Sequence, residues 1–226
     1  RHEGLDQQSH DARWVTIDPP ALLDVWRAAQ SAAGQMCETR VTKPPVAATV
    51  AEGARGIVEG ERIALDNAGM VLMAPYLPRL FGMLGLVADG AFVDLDAAER
   101  AVHLLQFAVS GASSTAEYAL PLNKLLCGLP LEAPVPAGIA LTPVERETIE
   151  GLLEAMIVSW SALGRTSVEG LRQSFLMRDG ELALGPQGWE LSVVRGPFDM
   201  LMDRLPWSFS IVRFAWMPAP LHVSWH

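Results

Sequence analysis

The chain has 226 residues, half of them hydrophobic and 19% charged, with a formal net charge of −9. That composition belongs to a globular chain, enough for one large domain or two small ones, and not to a disordered one. With only 17 lysines and arginines and no basic stripe, it is a poor match for the phosphate backbone of a nucleic acid, which clustered cations hold.

Residues 1–12 read as unstructured, and the polar opening "RHEGLDQQSHDARW" is no signal peptide. A start at Arg1 suggests a piece of a longer protein. "DPPALLDVWRAAQSAAG" reads as a helix over about 19–33, with Asp18 as N-cap, Pro19 and Pro20 at its start and Gly34 at its end. Residues 37–60 mix Pro, Gly, Ala and Thr without periodicity, as a linker does. The expected layout is therefore a tail, one helix and a linker over 1–60, then a compact domain over 61–226. Cys37 and Cys127 stand far apart in unlike contexts. They form neither a disulfide framework nor a zinc site, and point to a reducing compartment.

The stretch "NAGMVLMAPYLPRLFGMLGL", residues 67–86, has the length of a membrane span. Pro75 and Pro78 interrupt it, and Arg79 near its middle would cost about 2.5–3.5 kcal/mol on insertion. It reads instead as core. "MVLM" (70–73) is predicted as a short buried strand. A helix follows, with Leu77, Leu80, Phe81 and Leu84 on one face, Pro78 in its first turn and Gly85 as its stop.

Asp94 then caps a helix that stops near Gly111. "ASSTAEY" is a loop, "LPLNKLLCGLP" a helix of about two turns ending at Gly128 and Pro130, and "LEAPVPAG" extended. Thr142, Pro143 and Glu145 form a capping box with proline at the first helical position. The helix they open places Ile149, Leu152, Leu153, Met156, Ile157 and Trp160 on one face, with Glu145, Glu147 and Glu150 toward solvent. Ser167 caps another helix, with Val168, Leu171 and Phe175 inward.

Beyond that point "GELAL" and "GWELSVV", joined by "GPQ", alternate like a hairpin. "PFDMLMDRL" is a short helix, and "SFSIVRF" and "PLHVSW" are β-rich. Helices first and strands last give an α+β domain, mostly helical, with a small antiparallel sheet or hairpin in its C-terminal part. No repeat of 20–50 residues and no sustained heptad is present.

Motifs of chemistry are few. There is no phosphate loop, nucleophile elbow or helical zinc motif. His103 sits among apolar neighbours within a helix and reads as structural. Asp199 and Asp203, four apart, could share a face for acid–base or metal work, but a solvated face with Arg204 is the simpler reading. Cys127 at an apolar helix end reads as an inert thiol. What stands out is the aromatic C-terminal section. Trp207, Phe209, Phe214, Trp216, Met217 and Trp225 can fill a core, anchor a partner, or do both from opposite faces of a sheet.

Five stretches in series, "NAGMVLMAPYLPRLFGMLGL", "ERAVHLLQF", "LPLNKLLCGLPLEAPVP", "TSVEGLRQSFLMRDGEL" and "LPWSFSIVRFAWMPAPLHVSW", resemble the contractile injection system tape measure protein family. The resemblance covers about residues 62–225. It implies a structural component of a phage-tail-like machine that lies in the inner tube and sets its length, with no catalytic residues and no cofactor. A ruler must be long, and a helix gains about 1.5 Å per residue, whereas a compact chain of this size has a radius of gyration of about 17 Å. The expectation is therefore the globular end of such a protein, with an extended segment before Arg1. It would dock on inner tube, hub or spike, or baseplate proteins, and could self-associate around the tube axis. It would be cytoplasmic during assembly and then inside the particle, with no nucleic acid and no stable membrane insertion. Two alternatives stand beside it. One is an enzyme or small-molecule binder whose pocket gathers His103, Asp199, Asp203 or Arg213. The other is a peripheral membrane module using "GMVLMAPYLPRLFGMLGL".

Overall fold

The computed structural model describes residues 61–226. The helix predicted over about 19–33, the linker, the boundary at residue 60 and Cys37 lie outside the described residues.

The stretch that raised the membrane question is core. Residues 68–74 are all buried, and Leu77, Leu80, Phe81 and Leu86 join them. Among the described residues no helix is long and apolar enough to cross a membrane. The predicted strand at 70–73 is corrected: Ala68–Tyr76 is a 3₁₀ helix. An apolar run buried on every side has no polar face, so period cannot distinguish strand from helix. Helix α1 (Leu77–Met83) follows with Pro78 in its first turn. It closes with the Leu86 N–H donating to the Phe81 carbonyl at 2.9 Å.

Strands β1 (Arg62–Leu65), β4 (Gly180–Gly185), β5 (Gly188–Val193), β6 (Ile211–Val212) and β7 (Leu221–Trp225) form one sheet in the order β1-β4-β5-β7-β6. The expected β4–β5 hairpin is present. Two features differ from the expected antiparallel hairpin. β1 joins the sheet from the far end of the domain, and β5 pairs with β7 in parallel. A parallel pair needs a long crossover, and residues 194–220 supply it. Alternation sorts the two faces: Leu65, Leu182, Leu191, Val193 and Leu221 are buried, while Arg62, Glu181, Glu190 and Ser224 are exposed. A separate ribbon pairs β2 (Val87–Ala88) with β3 (Ala91–Phe92). Its turn is Asp89-Gly90, with φ 51° and 79°, the positive values a tight hairpin turn requires.

Helix α2 (Leu95–Ser110) is central, and residues 101–109 are buried on all sides. The Asp94 carboxylate accepts from the Ala97 N–H at 2.8 Å, and Gly111 ends the helix at φ 73°. The buried Arg172 guanidinium caps its far end, donating to the Ala108 carbonyl at 2.9 Å and the Phe107 carbonyl at 3.3 Å. A buried amide network fixes α2 against α3 (Pro121–Leu126). The Asn67 amide donates to Asn123 Oδ1 at 2.9 Å and Gln106 Oε1 at 3.0 Å, and the Asn123 amide donates to the Val102 carbonyl at 3.0 Å. Polar groups out of water need such partners.

Helix α4 (Pro143–Ser159) carries the expected capping box. Ile149, Leu152, Leu153, Met156 and Trp160 are buried, and Ile157 packs against them at the edge. Glu145 is corrected, because it is buried and not on the solvent face. Its carboxylate takes the Thr142 N–H at 2.8 Å and the Arg100 Nη2 at 2.6 Å. Burial alone would raise the Glu145 pKa. The bonds from Arg100 and from the Thr142 backbone and hydroxyl outweigh that and hold it below the ordinary carboxylate value. A carboxyl depressed in the folded state stabilises above its unfolded pKa, and that stability is lost as pH falls through the folded one. Glu145→Gln should therefore cost about 2 kcal/mol in urea unfolding at neutral pH. The deficit should shrink only as pH falls below the ordinary carboxylate range and through the depressed folded pKa, where the wild-type carboxyl becomes protonated too.

The helix opened by Ser167 is α5 (Val168–Leu171), which runs on as a π turn over Arg172–Leu176. The Ser167 hydroxyl accepts from the Gly170 N–H at 3.0 Å, and Leu171 and Phe175 are buried.

Candidate docking surface

The aromatic C-terminal section is pinned at three tryptophans. Each indole N–H finds an acceptor, as suits a half-buried tryptophan. Trp207 donates to the Leu72 carbonyl at 3.0 Å, and its ring meets Tyr76 edge-on at 5.2 Å. Trp216 donates to the Leu126 carbonyl at 2.9 Å and stacks on Phe214 at 4.9 Å, with Phe81 and Phe92 behind it. Trp225 donates to Asp199 Oδ2 at 2.8 Å and meets the Phe209 ring at 5.5 Å. Met217 is buried. Of the six residues singled out in the sequence, Trp207, Phe214, Trp216 and Met217 thus pack toward the core helices. Phe209 and Trp225 come together at an open groove.

That groove has a volume of about 420 Å³, and Met200, Met202, Pro197 and Asp203 share its lining with Phe209 and Trp225. Its wall is the 3₁₀ helix Asp199–Arg204. Asp199 is not on a solvated face with Arg204, as the sequence suggested. The Arg178 guanidinium pairs with it, both side chains are about nine-tenths buried, and the Gly196 N–H donates to its Oδ2 at 2.8 Å. Asp203 is exposed. The reason is geometric. Residues four apart nearly eclipse on an α-helix, but at three residues per turn they point about 120° apart.

The residues of the alternative pocket do not gather. Asp199 and Asp203 line the groove, whereas Arg213 is exposed outside its lining and His103 is buried on α2. Burial lowers the His103 pKa, against a hydrogen bond to the Pro136 backbone that raises it. The ring is therefore biased to its neutral form. The Cys127 thiol is buried, and burial pushes its pKa well up, away from the reactive thiolate. Among the described residues no group of three or more His, Cys, Asp or Glu side chains is placed to hold a metal.

Met200 in the groove lining, and Val194 and Phe198 next in sequence to lining residues, are exposed large apolar residues. Val194 keeps 55%, Phe198 50% and Met200 71% of their accessible area. Sequence reasoning missed them. The available signal was that "PFDMLMDRL" carries apolar residues at 198, 200, 201, 202 and 205, all round a short helix that has only one face to bury.

The family model of the contractile injection system tape measure protein matches residues 8–225. No curated protein and no solved structure matches the chain.

Proposed function

The chain belongs to the contractile injection system tape measure protein family, and from that premise we propose that residues 61–226 act as its globular anchor. In this reading the domain docks on inner tube, hub or spike, or baseplate proteins and so helps to fix tube length, as a structural part and not as an enzyme. It would act in the cytoplasm during assembly and inside the particle afterwards. The single observation that carries the proposal is a groove lined by Met200, Met202, Phe209 and Trp225, with Met200 71% exposed and the exposed Val194 and Phe198 next in sequence to its lining residues Arg195, Pro197 and Asp199. Apolar groups left in water around an aromatic pocket mark a contact surface. Helix length supports it as well. The longest described helix has 17 residues and reaches only about 26 Å, which fits an anchor better than an extended ruler.

The test is a surface variant, Phe198→Ser with Met200→Asp. Both side chains are largely exposed, so folding should persist, with an unchanged melting temperature and near-ultraviolet spectrum. The amount of chain recovered in purified sheathed particles should fall about tenfold or more, as when a contact anchor is lost. Wild-type recovery of a correctly folded variant would remove this face from assembly.

A further inference from the structure

We infer that the groove seats a second copy of this chain across a two-fold axis, with Met200 of each copy entering the groove of the other and Arg195 of each facing Asp203 of the other. The inference rests on reading this face as a contact surface and gives the groove itself to a second copy, so that tube, hub or baseplate proteins would meet the paired domains outside it. A two-fold contact uses the same patch twice, so the patch must be complementary to itself. This one carries both a knob and a hole. Met200, 71% exposed, stands in the lining of a groove that Phe209 and Trp225 also line. The lining is rigid there, since Trp225 is held by Asp199, and Asp199 by Arg178 and the Gly196 N–H.

The charges match in the same way. Arg195 and Asp203 both line the groove, both are exposed, and neither makes an ion pair among the described residues. The third charged lining residue, Asp199, is already neutralised by Arg178. A partner of one strong charge would be met by a patch of the opposite sign. A patch with one cation and one anion that have no ion partner among the described residues is matched by its own copy, turned so that each cation meets the other's anion. The chain as a whole carries −9, so two copies repel over most of their surface. A balanced patch is where they can approach.

Sedimentation equilibrium of the purified full chain at low salt reads this directly. A monomer–dimer equilibrium is expected. Arg195→Glu and Asp203→Arg should each weaken it about tenfold or more, and the two together should restore it to near the wild-type constant. All three variants should melt as the wild type does, because both positions are exposed. A wild-type chain that stays monomeric at about 100 μM, or an oligomer that neither single variant disturbs, would overturn the inference. If the wild type is monomeric while Phe198→Ser with Met200→Asp still blocks entry into particles, the groove belongs to another particle protein. The self-contact then fails and the docking reading stands.

Discussion

Gly69→Ala should destabilise the domain by about 3 kcal/mol or more, the upper range for forcing an atom into a packed core. The reason is a contact between two backbones. A Cβ on Gly69 would lie 1.8 Å from the Phe175 carbonyl oxygen, 2.8 Å from its carbonyl carbon and 2.9 Å from the Leu176 Cα. None of these atoms can rotate aside, because they belong to the π turn Arg172–Leu176. The buried 3₁₀ helix therefore rests directly on that turn at the one residue without a side chain. Relief would need one element to shift within a core of close-packed groups. Urea unfolding followed by circular dichroism measures the loss. Gly151→Ala is the control: it lies inside α4, and nothing stands within 4 Å of its added Cβ. It should gain about 0.5–1 kcal/mol, the usual difference between glycine and alanine within a helix. A Gly69→Ala chain as stable as the wild type would mean that the two segments do not meet as described.

Arg178→Met is the second large loss, about 3–5 kcal/mol, the range for removing one partner of a buried ion pair. Arg178 and Asp199 keep only 10% and 12% of their side-chain area exposed. Without the guanidinium, the Asp199 carboxylate keeps two N–H donors, from Gly196 and Trp225, each at 2.8 Å, and no cation. Adding Asp199→Asn removes the stranded charge and should recover about half of the loss, a coupling typical of groups in one network. Tryptophan fluorescence during unfolding reports the same event locally, because Trp225 donates to Asp199 and meets the Phe209 ring edge-on at 5.5 Å in the groove lining. If the single and double variants lose the same amount, the pair is not electrostatically coupled and the lining is held by packing alone.

What could be read from the sequence follows from what is local. Asp94, Thr142 with Glu145, and Ser167 each announce a helix start, because the capping atoms lie within three residues of the backbone they satisfy. The β4–β5 hairpin was readable for the same reason. The Asp89-Gly90 hairpin was equally legible and went unread. Pairings decided at a distance were not legible. Nothing in "RIAL" says that β1 joins β4 some 120 residues later in the sheet register. Nothing in "PLHVSW" says that β7 runs parallel to β5. Glu145 looked like one of three solvent-facing glutamates, because Arg100, the partner that buries it, lies on another helix. Asp199 was misread likewise, for want of Arg178. The aromatic section was visible as a feature, but which side chains face inward depends on the packing of Trp207 and Trp216 against helices far away in sequence. Composition flags a surface of this kind, and only the fold divides it into anchor and groove.

The claim that this domain is an anchor in particle assembly is tested most directly by electron microscopy of particles from cells whose parent gene lacks residues 62–225. Loss of sheathed particles, or tubes of irregular length, is the result the account predicts. Particles of normal number and uniform, wild-type length would contradict it.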